Sequence, residues 1–477
     1  MRRRSEANEV GFATRPVTRG CFGARLRTDR ETLERQIHDS MSDRPREGKP
    51  DDELRPVFRH RERSEALRVK SRRPSGRRLF GFWAAGSRES GGQYGVMTSP
   101  PVALHAGPSP RLPPSPPWFL AAAVLALRRA LLRVADWIVP SQVPLFFLAT
   151  GGLAARAVRT ASRLGVPEQL SSGPCTSAEL AAGGGVRAEE LHRILRVCAG
   201  VGVFAVDRQG RWRNTRKSSL LRRGATGSFR DPFEYFASEE VAGAWDGMEE
   251  ALRSGRDGYE QLHGRTVWDW YADHPLELQR FQRSMAALSA IDARAVAASG
   301  VFSGLNRVCD VGGGGGVILG ELLRRRPALS GVLFDAEEVL PSARARLGAL
   351  GVADRCEFVS GSFFDGVPLG CDGVVLKNIL HDWPDDACGR ILEVVRNSME
   401  VGARLVVAEM LLERSTTVGF APWSDVHMML ATMRGRERSL AELRGLLAGA
   451  GFRFDGVVRL AGDLRLVVAV AQDRGCP

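Results

Sequence analysis

The sequence predicts an α/β protein whose main body is an open, doubly wound parallel sheet ending in an antiparallel hairpin, preceded by a mostly helical, winged-helix-like dimerisation domain. Three observations carry this. From about Asn306, short apolar runs alternate with helical periods, the rhythm of βαβ units. The last two apolar runs, Phe452–Leu460 and Leu464–Ala471, are joined by only Ala461-Gly462-Asp463, too short for a crossover, so they form a hairpin. Upstream, three short helical periods are followed by a second hairpin signal, the order of a winged helix.

At 477 residues and 44% hydrophobic, the chain is too long for one ordinary domain and too apolar to be disordered. The expected division is a basic and Pro-rich extension over 1–110, the helical domain over 111–290 and the sheet domain over 291–477. Residues 1–96 are rich in Arg, Gly, Ser and acidic residues without an apolar period, which reads as a disordered extension. Met97, just before the Pro-rich stretch, offers an alternative biological start. Those 96 residues hold 23 Lys and Arg against 14 Asp and Glu, so they carry +9 of the net charge of +12. The remainder is nearly neutral, which argues against a nucleic-acid partner for the folded part.

Trp118 to Trp137 reads as an amphipathic helix bearing Arg128, Arg129 and Arg133, suited to a surface or to dimer packing ahead of a membrane surface. Trp118–Leu127 and Val143–Ala155 both fall short of the roughly 18 apolar residues of a spanning helix, so no transmembrane segment is expected. Leu153, Ala157, Ala161 and Leu164 mark a helix, Thr176-Ser177-Ala178-Glu179 a capping box that opens the next, and Leu191, Ile194, Leu195 and Cys198 a third. Val203–Asp207 and Arg211–Asn214 follow as the hairpin. No basic stripe lines the third helix, which favours dimerisation over DNA binding.

In the sheet domain, strands are expected over Arg307–Val311, Ser330–Asp335, Arg355–Val359, Asp372–Leu376 and Arg404–Glu409. Helices are expected over Val317–Arg325, Val339–Leu350 and Ala387–Met399. The eight cysteines contain no C-x-x-C and the chain no H-E-x-x-H, so no metal site and no disulfide framework is expected, and a reducing, cytoplasmic compartment is the default.

The strongest chemical signal closes the first strand: Cys309-Asp310-Val311 followed by Gly312 to Gly316. A dinucleotide fingerprint fails in every register, because its last glycine would fall on Val317, Ile318 or Leu319. What fits is Asp310 followed by Gly312, Gly314 and Gly316, a loop suited to a small zwitterion such as the amino-acid part of S-adenosylmethionine, although a plain tight turn would use glycines too. Asp335 ends the second strand, where a carboxylate can accept both hydroxyls of a ribose.

Together with Gly361-Ser362-Phe363-Phe364, Lys377 and His381-Asp382-Trp383, these residues resemble the class I S-adenosylmethionine-dependent small-molecule O-methyltransferases. That family includes the caffeic acid and hydroxyindole enzymes and a bacterial natural-product branch. The resemblance runs from about Val143 to Ala471 and includes the winged-helix dimerisation domain. It implies a Rossmann-like methyltransferase sheet, S-adenosylmethionine as cofactor, a homodimer, and transfer to a hydroxyl of a small aromatic or polyketide-type metabolite. By position, Gly312 and Gly314 would approach the methionine part of the cofactor, Asp335 its ribose, Ser362 and Phe363 its adenine, and Lys377 would lie beside it. The family usually carries Asp where Ser362 stands, so this chain gives up a charge there.

His381 would be the proton acceptor, with Glu409 and Glu437 as the acidic partners that fix its tautomer. The chemistry agrees: an acceptor hydroxyl must lose its proton as it attacks a sulfonium methyl, and an imidazole with the ordinary pKa near 6.5 is a suitable base at neutral pH. Glu437, set among arginines, would equally suit a surface salt bridge. Met285, Met428 and Met429 occupy positions where the family lines its substrate site. Two rivals remain: a metal-dependent catechol-type methyltransferase using Asp382, Asp385 and Asp386, and a non-catalytic, methyltransferase-like regulatory dimer.

Overall fold

The computed structural model describes residues 116–473 with the exception of Met433. The expected extension over 1–110 lies outside the described residues.

The described chain opens with two long helices, Trp118–Ile138 and Gln142–Arg163. The second is anchored by its C-terminal half, where Ala157, Val158, Ala161 and Ser162 are buried. The first has no buried residue on any side. Helix Ser177–Gly184 starts at the expected capping box: the Thr176 hydroxyl accepts from the Glu179 N–H, and the Glu179 carboxylate accepts from the Thr176 N–H at 2.7 Å. Helix Ala188–Gly200 buries Leu191, Leu195 and Cys198 against the same small core. The hairpin follows as β1 (Phe204–Val206) and β2 (Trp212–Asn214), paired antiparallel, with Trp212 buried and its indole N–H donating to the Ser177 hydroxyl at 2.8 Å. The winged-helix order is thus present.

Several short helices lead to Pro275–Ala298, a continuous helix of 24 residues that the sequence-based boundary between 290 and 291 would cut. Its C-terminal turns bury Ala293, Val296 and Ala297 in the core under the sheet, while the helix also packs on Arg230–Phe236. It belongs to both parts, and no composition shift marks that dual role.

The main sheet has seven strands, β3 (Arg307–Val311), β4 (Ser330–Asp335), β5 (Cys356–Ser360), β6 (Gly373–Lys377), β7 (Arg404–Met410), β8 (Phe452–Arg459) and β9 (Leu464–Ala471). Their order is β5-β4-β3-β6-β7-β9-β8. The first five pair in parallel, and β9 pairs antiparallel with both β7 and β8. The expected hairpin therefore inserts its second strand next to the parallel set. Side chains alternate between two apolar layers: Cys309, Val311, Val374, Leu376, Leu405 and Val407 face one way, and Val308, Val375, Val406, Ala408 and Leu466 the other. Both faces are covered, as a parallel sheet requires. The chain reverses its order between β3 and β6, so a crevice opens at the carboxyl ends of these strands, where ligands bind in open α/β sheets.

Candidate active site

The glycine loop leaves β3 at this crevice. Gly312, Gly314 and Gly316 all have positive φ, 65°, 54° and 68°, a region closed to most L side chains. A Cβ on Gly312 would stand 2.3 Å from Ile379 Cδ1, whereas one on Gly314 would meet nothing, which leaves backbone facing open space. Beneath the loop, the Asp310 carboxylate is buried and its Oδ2 has no hydrogen-bond partner. Asp335, at the end of β4, accepts from the Gly314 N–H at 2.7 Å and from the Ala336 N–H at 2.7 Å, one bond per oxygen, so lone pairs remain on both. Burial pushes Asp310 up to about 7, with the Asp335 charge adding to it, and burial raises Asp335 as well. Two carboxylates held against a glycine loop repel a pyrophosphate and attract a cation. The donor set therefore suits a ligand carrying an ammonium and a ribose diol, as S-adenosylmethionine does.

Ser362 and Phe363 follow β5 at the same edge. Ser362 is exposed and its hydroxyl accepts from the Phe364 N–H at 3.2 Å; Phe363 meets Trp383 edge to face, ring centres 6.0 Å apart. Lys377 ends β6, and its ammonium donates to the Ser289 hydroxyl at 3.1 Å and to the Asn378 Oδ1 at 2.7 Å. Burial lowers its pKa, opposed by the charges of Asp292, Glu409 and Asp310. Asn378 takes φ of 54°, one of two non-glycine residues with positive φ among those described, and this turns the chain sharply toward His381.

His381 sits on a buried turn just past β6. Its Nδ1 lies 2.9 Å from Glu437 Oε1, 3.8 Å from Glu409 Oε2, and its Nε2 is 3.7 Å from Asp382 Oδ1. Only the Glu437 contact is a hydrogen bond. The two acids divide the work: Glu437 holds the ring, and Glu409 holds the turn, its Oε1 accepting the N–H groups of Ile379 and Leu380 at 3.1 and 2.9 Å. Since Nδ1–H donates to Glu437, Nε2 is the nitrogen left to act as base. Glu437 is fully buried, so the surface salt bridge does not occur; its Oε1 also accepts from the Ser424 hydroxyl at 2.6 Å, and the Asp425 carboxylate accepts its backbone N–H.

Arg438 completes the frame. It is buried, donates to the carbonyls of Leu380 and Trp383 at 2.7 Å each, and pairs with Asp385 at 2.7 Å. It clamps both sides of the histidine turn, with each charge-assisted bond contributing roughly 1.5–3 kcal/mol. Sequence reasoning passed over Arg438, Ser424 and Asp425, whose spacing carries no local motif.

The charge around His381 changes one expectation. Burial alone would lower the imidazole pKa, but Glu409, Glu437 and Asp382 outweigh it and raise it to about 10, well above the 6.5 assumed from sequence. Burial in turn pushes Glu409 up to about 7 and Asp382 to about 6. Asp385 and Asp386, which with Asp382 would be the ligands of a metal-dependent enzyme, are instead engaged with Arg436 and Arg438 and with Arg390. Among the described residues, the ligand-type atoms that do converge, within 4.8 Å, are those of His381, Glu409 and Glu437. Of the methionines expected at the substrate site, Met428 is buried and Met285 and Met429 are half-buried.

Comparison with known proteins gives the family. Residues 147–224 match the model of the O-methyltransferase dimerisation domain and residues 245–453 that of the O-methyltransferase domain. The phenazine O-methyltransferase of Lysobacter antibioticus is 33% identical over 331 residues, 69% of this chain and 96% of the relative. The crystal structure of human N-acetylserotonin methyltransferase in complex with S-adenosylmethionine superposes with a TM-score of 0.64 at 25% identity, covering 70% of this chain and 98% of that one. That of an O-methyltransferase of neocarzinostatin biosynthesis, bound to S-adenosylhomocysteine and 1,4-dihydroxy-2-naphthoic acid, has a TM-score of 0.58 at 30% identity, covering 66% and 95%.

Proposed function

Because this chain belongs to the S-adenosylmethionine-dependent O-methyltransferase family with its own dimerisation domain, we propose that it methylates a hydroxyl of a small aromatic or polyketide-type metabolite with His381 as general base. The observation that carries the reading is the His381 Nδ1 bond to buried Glu437, which leaves Nε2, once it has shed its own proton, as the nitrogen able to take the acceptor's. Relatives named for phenazine, mitomycin and naphthoate acceptors support the acceptor class.

Bound S-adenosylmethionine supplies an electrophilic methyl on a sulfonium. Gly312, Gly314 and Asp310 would hold its amino-acid part, Asp335 its ribose, Ser362 and Phe363 its adenine end, and Lys377 would border it. Nε2 of His381 takes the acceptor proton, Glu437 stabilises the resulting imidazolium, and Glu409 with Arg438 keeps the turn in place. Such a base contributes about 10²–10⁴ in rate, the remainder coming mainly from alignment. His381→Ala tests this: cofactor affinity should persist while turnover falls at least about 10²-fold. Wild-type turnover in that variant would assign His381 a structural role.

The homodimer reading rests on helix Trp118–Ile138. Leu120, Val124, Leu127, Leu131, Val134 and Ile138 follow a 4-3-4-3-4 spacing, the seam of a helix pair, and all six are at least half exposed. The face continues through Val143, Phe146, Phe147 and Leu153, next to the matched dimerisation model, so the occupant is a second copy of the chain. Among the described residues no helix is long and apolar enough to cross a membrane. The described cysteines are all unpaired, which supports a cytoplasmic location. We place the dimerisation part within 111–290 and the cofactor part within 291–477, with helix Pro275–Ala298 shared between them.

A further inference from the structure

Glu437 is held from one side by a single turn of helix Ala421–Ala431. The Ser424 hydroxyl donates to its Oε1 at 2.6 Å, and the Asp425 carboxylate accepts its backbone N–H at 2.9 Å. Oε1 thus receives two hydrogens, from Ser424 and from Nδ1 of His381 at 2.9 Å, whereas the buried Oε2 has no hydrogen-bond partner among the described residues. A hydroxyl carries one hydrogen, so its choice of acceptor is exclusive. Elsewhere in the chain, the hydroxyls of Thr150, Thr160, Ser254 and Thr432 take the local option and donate to the carbonyl four residues back. Ser424, 4% exposed, forgoes it and reaches a carboxylate 13 residues away.

That choice matters most in the state in which His381 works. To take a proton the ring must first be neutral, and Glu437, Glu409 and Asp382 then face it with no imidazolium to balance them. The nearby cations are engaged elsewhere. The Arg438 guanidinium is held by the carbonyls of Leu380 and Trp383 and by Asp385, and the Lys377 ammonium by Ser289 and Asn378. His427, one turn further along the same helix, is kept neutral by burial and by the His381 charge, which push it down to about 4; its Nε2 lies 3.4 Å from the Tyr235 hydroxyl.

A buried carboxylate without a cation needs donated hydrogens, or it takes a proton instead. Glu409 has the N–H groups of Ile379 and Leu380. Among the described residues, the Glu437 side chain has Nδ1–H of His381 and the Ser424 hydroxyl. A hydrogen donated to a carboxylate stabilises it more when no imidazolium neutralises its charge, so the Ser424 bond is stronger against the neutral ring than against the charged one. Its net effect is to favour release of the ring's proton. We propose that Ser424 is a positioning residue for the base: its hydroxyl shares the Glu437 charge and pins Oε1 against Nδ1, so that His381 sheds its proton at lower pH than Glu437 alone would allow. The consequence for rate rests on the methyl-transfer reading, while the coupling itself is measurable without turnover.

The test titrates the His381 imidazole by NMR in the full chain labelled at histidine, its Cε1–H resonance assigned by its absence from His381→Ala. Wild type, Ser424→Ala, Ser424→Cys, Glu437→Gln and the Ser424→Ala, Glu437→Gln double variant would be compared. Ser424→Ala should raise the midpoint by roughly 0.5–1 pH unit, because the Glu437 charge then falls undivided on the ring. Glu437→Gln should lower it, so the two neighbours act in opposite directions. In the Glu437→Gln background, where no charge is left to share, Ser424→Ala should move it by less than about 0.2 unit. Ser424→Cys keeps the size and donates weakly, so it should give a smaller rise and carries the test if the alanine variant fails to fold. An unchanged or lower midpoint in Ser424→Ala, or in Ser424→Cys where the alanine variant does not fold, overturns the proposal, as does an equal rise in the Glu437→Gln background; a merely structural serine would give one of these. Methyl transfer from labelled S-adenosylmethionine to hydroxylated naphthalenes, 1-hydroxy-2-naphthoate among them, would be followed in parallel. The expected midpoint shifts in a chain that methylates no hydroxyl would overturn the methyl-transfer reading and leave the Ser424 coupling standing.

Discussion

Glu437→Gln probes the electrostatics of the base with little change of shape. The glutamine carbonyl can still accept the Nδ1–H bond now made at 2.9 Å and the Ser424 hydroxyl at 2.6 Å, so ring orientation survives while one negative charge is removed. The rise of the His381 pKa from 6.5 to about 10 corresponds to about 5 kcal/mol in favour of the imidazolium, and three carboxylates produce it against the opposing effect of burial. Unit charges 4 Å apart attract by about 4 kcal/mol at an effective dielectric of 20, so a single carboxylate is capable of a large share. Assigning Glu437 only a third, roughly 1.5–2 kcal/mol, still moves the imidazole down by more than one pH unit. The sign is definite: the wild type must shed a proton held to unusually high pH, so its activity should climb through the alkaline range. The variant should reach its plateau at lower pH. That plateau should itself be lower by about tenfold or more, since a weaker base takes the proton less readily and the imidazolium is less stabilised. The assay is kcat/KM against pH with an acceptor whose hydroxyl does not ionise below pH 10. An acid limb at the same pH in both proteins would refute the claim that His381, tuned by Glu437, is the titrating base.

Asp335→Ala should weaken S-adenosylmethionine binding at least tenfold, about 1.4 kcal/mol by calorimetry, because it removes two acceptor oxygens at the end of β4. Leu127→Glu together with Leu131→Glu should shift the protein from dimer to monomer in sedimentation, since both side chains sit on the exposed helix seam. Chelator treatment should leave turnover unchanged; lost activity restored by a divalent cation would identify His381, Glu409 and Glu437 as ligands instead. Without cofactor, the melting temperature should fall as pH rises from about 5 to 10: the folded state holds protons on Asp310, Glu409 and Asp382 up to about 6–7 and on His381 to about 10, and stability from raised groups is lost as pH passes those values.

The parts of the site that could be read from sequence are those that α/β topology places automatically. Residues at the carboxyl ends of successive parallel strands must share one edge, so Asp310, Asp335, Lys377, His381 and Glu409 were bound to meet once the strands were found. Glu437 follows no strand. It reaches the ring because helix Ala421–Ala431 packs behind it and Arg438 ties its loop to the histidine turn, and the arginines that suggested a surface salt bridge are what hold the loop inward. Tyr235 and His427, 192 residues apart, share no local pattern at all. Nor does any spacing disclose that three carboxylates surround one imidazole, which is why an ordinary pKa was assigned to a group that has none.

That density of negative charge has a single physical rationale across the crevice. Asp310 and Asp335 at one end favour a cationic ligand, and Glu409, Glu437 and Asp382 at the other favour an imidazolium. On the proposed mechanism, methyl transfer from a sulfonium removes positive charge from the cofactor side as a proton arrives on the histidine side. The edge as a whole therefore keeps a cation against its carboxylates at the start and at the end of the reaction. Carboxylates placed at only one end would bind one state and oppose the other. Replacing Asp310 by Asn should consequently weaken cofactor binding without moving the acid limb set by His381, because the two ends act on different charges.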